Sequence, residues 1–207
     1  MEGGVSLLEV LGRARELGFL GPGPLEDHRD HALGYLQVMG RGWVGRAADL
    51  GSGGGVPGLV LALACPESDW ILIEAQTRRA DFLDSAVQQL GLGSRVSVLH
   101  ERAEVVGRSA GHRSIYDLVV ARSFATPAVT AECGAPLLRQ GGRLIVSEPP
   151  VDGQAVERWP IDGLQQLSLT LEEYLPGPPA LAVFSSAAIC PEKFPRRVGI
   201  PAKRPLW

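Results

Sequence analysis

Residues 46–64 read RAADLGSGGGVPGLVLALA. Five glycines and one proline fall within residues 51–58, between an apolar run ending in Asp49-Leu50 and a second apolar run without helix breakers. Glycine weakens strands and helices alike, so a cluster of them between the two marks a backbone shaped for a sharp turn or for close approach to a ligand. RAADL predicts a strand at 46–50 and the following segment a helix at 56–65, with Pro57 admissible in a first turn whose N–H groups lack partners. In an open α/β sheet this arrangement stands beyond the carboxyl end of a strand, where helix N–H groups face a bound molecule. Taken alone, the loop admits more than one reading. Gly53, Gly55 and Gly58 satisfy the G-x-G-x-x-G spacing of a dinucleotide site, with Glu74 about 20 residues on to accept from a ribose. A tight strand-to-helix joint without a ligand satisfies it too.

Outward from the loop, two periods alternate along the chain. Strands are predicted at 70–74 (WILIE), 95–100 (RVSVLH), 116–121 (YDLVVA) and 143–147 (RLIVS), with helices at 77–90 and about 127–139. Such alternation defines an α/β fold, a mostly parallel sheet with helices on both faces. The ending differs. Leu167, Leu169 and Leu171 alternate with polar residues, PGPP follows, and ALAVFSSAAI is again strand-like, so the sheet is expected to finish in an antiparallel hairpin. Ahead of the sheet, Ser6 and Glu9 stand at capping-box spacing for a short helix over 6–17, and 25–39 predicts a second helix turning Ala32, Tyr35, Leu36 and Met39 inward. The expected organisation is an N-terminal helical segment at 1–42, the main domain at 43–190 and a basic tail at 191–207 that packs on that domain or extends from it.

The 207 residues, 45% hydrophobic and 21% charged, suffice for one core. No apolar run approaches the ~20 residues of a membrane helix and no signal-peptide pattern opens the chain, which makes the cytoplasm the expected compartment. Cys65, Cys133 and Cys190 form no CxxC and have no neighbouring histidine, so they are expected to be small buried hydrophobes, and no metal site is expected. A net charge of −3 does not favour a nucleic-acid partner. Its distribution is uneven: residues 192–204 set Lys193, Arg196, Arg197, Lys203 and Arg204 against Glu192 alone, a local cationic patch suited to RNA phosphate that Pro195, Pro201 and Pro205 would hold extended.

Features outside the loop separate its readings. Asp49 directly precedes the glycines as D-x-G-x-G-x-G, Glu74 closes the second strand, and PLLRQGGRL leads into a late strand and a hairpin instead of a second mononucleotide half. These features resemble the class I S-adenosylmethionine-dependent methyltransferases, with their Rossmann-like fold. More narrowly, DLGSGGGVPG, the TRRADFLDSAVQQLGL helix, RAE at 102–104, YDLVVARSFA at 116–125 and the terminal FPRRVGIPAKRPL resemble the RsmG (GidB) family, which methylates guanine N7 in small-subunit ribosomal RNA. The resemblance implies S-adenosylmethionine as cofactor and ribosomal RNA or the small ribosomal subunit as partner. It places Asp49, Gly51, Gly53, Gly55, Val56, Glu74, Ala103 and Glu104 at the cofactor, and Arg122, in ARSF, at the mouth of the active site as the catalytic candidate, also within reach of the cofactor. Two departures stand out. SEPP, with Glu148, occupies the segment where the family usually carries a lysine, and the N-terminal region lacks the family's NLT stretch, although His31 matches the histidine of its RHILDSL segment.

Guanine N7 offers an in-plane lone pair and no proton, so the implied reaction asks for positioning rather than a general base. Arg122 could stack on the base or donate to it or its phosphate, or simply brace a strand end. Asp49 suits a cofactor-bound water or the bracing of loop N–H groups, and Glu104 suits the adenine region or a helix start. Two other functions fit the same fold: methylation of a small molecule, and a non-catalytic paralogue that binds the cofactor or the ribosome.

Overall fold

The computed structural model describes residues 5–149 and 156–207. The strands are β1 Arg46–Leu50, β2 Asp69–Glu74, β3 Val96–His100, β4 Tyr116–Ala121, β5 Leu138–Glu148, β6 Leu169–Pro176 and β7 Ala180–Ser186. They form one sheet in the order β3-β2-β1-β4-β5-β7-β6. Strands β1 to β5 run parallel, and β7 lies antiparallel between β5 and β6. The chain builds outward from β1 through β2 to β3, then crosses to β4 on the other side, so the carboxyl ends of β1 and β4 flank the point where strand order reverses. That crevice is the ligand position of a doubly wound sheet.

Alternation along each strand divides the core into two layers. Ala48, Val119, Leu144 and Phe184 face one layer, while Ala47, Leu118, Ile145 and Val183 face the other. The helices α1 Leu7–Glu16, α2 Leu25–Leu33, α3 Leu36–Met39, α4 Gly58–Ala64 and α5 Thr77–Gln89 precede β3 in the chain. Val10, Met39, Leu59 and Leu83 from this group pack in the second layer. The helices α6 Ala103–Val106, α7 Pro127–Gly134, α8 Ile161–Gln166 and α9 Ile200–Lys203 follow β3, and Val106, Val129 and Leu164 pack in the first. Truncating a fully buried leucine such as Leu83 or Leu118 to alanine costs about 2–5 kcal/mol.

The capping box at Ser6 and Glu9 forms as expected. The single helix expected at 25–39 is instead two, because the bonding tightens around Gly34: the N–H groups of Tyr35, Gln37 and Val38 reach back three residues, to Ala32, Gly34 and Tyr35. The helix expected to run to 139 stops at Gly134, continues as a 3-10 turn over Ala135–Leu137, and gives way to β5 five residues earlier than expected, at Leu138. The ladder between β4 and β5 then shifts register between Tyr116 and Leu118, and that irregularity absorbs the Gln140–Gly142 stretch. Helices α6 and α8 were not anticipated.

The tail is not an extended arm. Residues 200–203 form α9, and Phe194 is buried in the core. The Arg113 guanidinium donates to the carbonyls of Cys190, Pro191 and Phe194, at 2.7, 3.1 and 2.7 Å. Arg196 donates through its backbone N–H, Nε and Nη2 to the fully buried carboxylate of Glu132 at 2.8, 2.9 and 2.6 Å. The three cysteines are free and buried, as expected. Among the described residues no helix is long and apolar enough to cross a membrane.

Candidate active site

The glycine loop leaves β1 at Gly51, whose φ of +64° is easy only for glycine. A Cβ there would stand 2.6 Å from Cδ2 of Phe124, so the ring covers the backbone of the loop directly. Glu74, at the end of β2 and 5% exposed, locks the loop from the neighbouring strand: its Oε2 accepts from the Gly53 N–H at 3.0 Å and its Oε1 from the Gln76 N–H at 2.8 Å. Each oxygen keeps further acceptor capacity.

Asp49 sits behind the loop. Alternation aims it into the second layer, and its register neighbours Leu72 and Val120 both lie there. Its Oδ2 accepts from the Gly58 N–H at 3.0 Å, while Oδ1 has no partner among the described residues. Burial pushes its carboxyl up to about 7, against the lowering effect of the Gly58 bond. Gly58 is needed here, since a Cβ would stand 2.5 Å from that oxygen.

Two cavities open at the carboxyl ends of the parallel strands. The first, of about 280 Å³, is lined by Gly51, Glu74, Arg79, Ala103 and Glu104 together with Ala202 of the tail. The second, of about 320 Å³, is lined by His31, Arg122, Glu148, Arg158 and Trp159. Ser123, Phe124 and Ala125 border both. The structure therefore gathers Gly51, Glu74, Ala103 and Glu104 around one space and sets Arg122 at the next. Gly53, Gly55, Val56 and Asp49 do not line the first cavity: Gly53 bonds to Glu74, and Val56 packs with Leu11, Ala32 and Val60 toward the N-terminal helices. A third depression, of about 310 Å³ beside Arg46, Asp69 and His112, lies at the amino ends of the strands, away from the loop.

Glu104 has a structural task. Its carboxylate accepts from Arg102 Nη2 at 2.9 Å and from the Gly199 N–H at 3.1 Å, tying the tail to the turn after β3. Burial alone would raise this carboxyl, but the bonds from Arg102 and Gly199 outweigh it and hold the group below its usual range. Glu148 ends β5, buried and paired with Arg158, and burial raises its carboxyl against the pull of that guanidinium.

Arg122 is held from the N-terminal helices. Its Nη2 lies 2.9 Å from Nδ1 of His28, whose Nε2 lies 3.1 Å from the Gly21 carbonyl. A guanidinium only donates, so His28 accepts at Nδ1 and carries its proton on Nε2, which donates to Gly21. Arg122 Nη1 and His31 Nδ1 are buried without partners among the described residues. Burial, with Arg122 and His28 beside it, lowers His31 to about 4. Tyr35 donates to the carbonyl of Ala121, the last residue of β4, at 2.8 Å. Sequence reasoning missed His28, Phe124, Arg158 and Ala202 as site residues. His28 left a periodic trace, since it stands four and seven residues before the core positions Ala32 and Tyr35, on the same helical stripe, while Phe124 and Ala202 lie inside the motifs YDLVVARSFA and FPRRVGIPAKRPL without being singled out.

Strand order, glycine loop, closing acid and terminal hairpin together define the fold of the class I S-adenosylmethionine-dependent methyltransferases. A solved structure described as a putative S-adenosyl-L-methionine-dependent methyltransferase from Methanococcus maripaludis superposes with a TM-score of 0.64 at 13% identity, over 91% of this chain and 97% of that one. The GidB family model, rRNA small subunit methyltransferase G, matches residues 28–148. The relative named ribosomal RNA small subunit methyltransferase G from Chloroflexus aggregans is 39% identical over 186 residues, 86% of this chain and 77% of that protein. The relative of the same name from Rubrobacter xylanophilus is 38% identical over 171 residues, 78% of this chain but only 65% of its own length. The chain belongs to the GidB family, and by that membership it is a methyltransferase.

The site fits the cofactor of that class. Gly51, with the Phe124 ring packed against its backbone, lines the cavity, and the Glu74 carboxylate borders it with acceptor capacity to spare for a ribose diol.

Proposed function

We propose that this chain uses S-adenosylmethionine to methylate N7 of a guanine in small-subunit ribosomal RNA, with the donor in the glycine-loop cavity and the base in the Arg122 cavity. One observation carries the reading: two cavities at the carboxyl ends of the parallel strands meet across a shared three-residue border. Methyl transfer is an in-line displacement, so donor and acceptor must lie on one axis, and adjoining cavities with a common border meet that demand.

S-adenosylmethionine, when bound, supplies an electrophilic methyl group on a sulfonium. The residues of this chain do the positioning. Gly51 lines the donor cavity with backbone beside the Phe124 ring, Glu74 accepts from the ribose hydroxyls, and the chain at Ala103 walls the far end. Arg122, clamped through Nη2 by His28 and with Nη1–H unpartnered among the described residues, is placed to donate to an acceptor on the base. The N7 lone pair needs no proton removed, so orientation is the main demand. Holding the partners in near-attack geometry is worth up to about 7–11 kcal/mol in favourable cases.

The test is calorimetric titration with S-adenosylhomocysteine, with NAD as control, followed by transfer of labelled methyl from S-adenosylmethionine to small-subunit ribosomal RNA lacking the modification. Binding of S-adenosylhomocysteine but not NAD, with label mapped to N7 of one guanine, is the expected result. A folded protein that binds neither, or prefers NAD, overturns the cofactor assignment. Binding without label in ribosomal RNA overturns the substrate.

A further inference from the structure

We infer that Glu148 reads the Watson–Crick edge of the target base and so sets the specificity of the second cavity, an assignment that rests on the guanine-methylating function proposed above. Glu148 ends β5, opposite Ala180 of β7, and borders the cavity with its side chain only 2% exposed. Arg158 pairs with its Oε2 and holds the carboxylate in place from the short turn over Val156–Arg158. Around the same cavity stand two donors with no partner among the described residues: the Arg122 Nη1–H and the indole N–H of Trp159, a residue 2% exposed. Phe124 gives the border an aromatic face.

A buried acceptor set among unsatisfied donors describes an occupant that carries both kinds of group. A phosphate does not qualify, because it would meet the Glu148 carboxylate at close range. Among the bases, guanine alone presents two adjacent N–H donors on one edge, N1–H and N2–H, which a carboxylate accepts side by side. Adenine and cytosine place a ring acceptor beside their amino group, and uracil flanks its one N–H with two carbonyls, so each would set a lone pair against the carboxylate. Gripped by its Watson–Crick edge, guanine leaves O6 for the orphaned donors and N7 on the opposite ring, away from Glu148 and open to the donor cavity. The departure seen in the sequence, a carboxylate in SEPP where a cation was expected to meet RNA, then has a function: it meets the base instead of the backbone.

The experiment rebuilds the methylated site, mapped with the wild-type protein, as a short RNA carrying either guanine or inosine at the target position. Inosine lacks only the 2-amino group, so N7 and O6 are unchanged. The expected result is a kcat/KM about 10- to 100-fold lower for inosine with the wild-type protein, and a Glu148→Gln variant that loses activity on guanine while its guanine-to-inosine ratio falls toward one. Affinity for S-adenosylhomocysteine, expected to be unchanged in that variant, shows that the donor site and fold survive. Equal rates on guanine and inosine with the wild-type protein overturn the assignment without touching the methyltransferase function. A discrimination that persists undiminished in Glu148→Gln overturns it as well. No methylation of any ribosomal RNA position by the wild-type protein removes the functional reading, and this assignment with it.

Discussion

Glu74→Gln separates charge from shape at the donor site. In the folded protein each carboxylate oxygen already accepts one backbone N–H, at 3.0 Å from Gly53 and 2.8 Å from Gln76, and the remaining acceptor capacity faces the first cavity. Glutamine keeps one oxygen and replaces the other with an NH₂ group, a donor at a position where either a loop N–H or a ribose hydroxyl must be accepted. A hydrogen bond to a charged group contributes about 1.5–3 kcal/mol and one between neutral groups about 1 kcal/mol, so the substitution removes about 1.5–3 kcal/mol across the two hydroxyls. The dissociation constant for S-adenosylhomocysteine should rise by about 10- to 100-fold, read by titration calorimetry at neutral pH. An analogue lacking the ribose hydroxyls should bind both proteins alike, which separates ribose recognition from loosening of the Gly53–Gln76 turn. A folded variant that binds S-adenosylhomocysteine within about twofold of the wild type would falsify the ribose role and leave Glu74 as a loop brace.

Gly51→Ala combines a φ of +64° with a Cβ 2.6 Å from the Phe124 ring, so we expect a loss of about 1–3 kcal/mol in urea unfolding and S-adenosylhomocysteine affinity reduced by more than about tenfold; unchanged affinity would show that the loop backbone does not contact the ligand. Arg196→Ala leaves the Glu132 carboxylate, 0% exposed, without its two guanidinium donors, and should cost about 3 kcal/mol in chemical denaturation and make the tail a protease target; an unshifted midpoint would mean that other groups hold the tail. Asp49 keeps its proton up to about 7 in the folded protein but loses it near 3.8 when unfolded, so its contribution is complete below 3.8 and is lost as pH rises through 7, up to about 4 kcal/mol in all. His31 acts in the opposite sense, since its folded value of about 4 lies below the ordinary 6.5 and stability rises with pH across that window. Asp49→Asn should therefore show a steeper gain in stability from pH 4.5 to 6.5 and no loss toward pH 7.5 in urea titrations at a series of pH values, and parallel wild-type and variant curves would refute the buried proton.

What was legible in the sequence was local. The strand–loop–helix at 46–64, the parallel order and the closing hairpin follow from patterns that repeat every two or three to four residues, and each of them forms. In RAADL, Ala47 and Asp49 share a face, so a β1 buried on both sides buries the acid as well. Boundaries failed where glycine broke the period, at Gly34 and in the Gln140–Gly142 stretch, because there bonding geometry rather than side-chain pattern decides where an element ends. The partners of the site residues were beyond reach for a different reason. Arg122 meets His28 across 94 positions and Glu104 meets Gly199 across 95, and nothing near either end of such a pair records the other.

The same distinction bears on how an acidic chain could approach RNA. Arg196 spends its charge inside, on Glu132, but Lys193, Arg197, Lys203 and Arg204 remain exposed. They ride on a segment fixed along its length: Arg113 holds its start, Glu104 holds Gly199, Ala202 walls the first cavity, and Trp207 donates to the Arg158 carbonyl at 3.0 Å. Arg158 in turn pairs with Glu148. A cationic surface anchored this way fixes any phosphate it neutralises relative to both cavities, which a flexible arm of equal charge would not do. The overall charge of −3 therefore matters less than where the exposed cations are held. Contacts with the backbone would set register, and on the Glu148 assignment proposed above the discrimination among bases would fall to the second cavity.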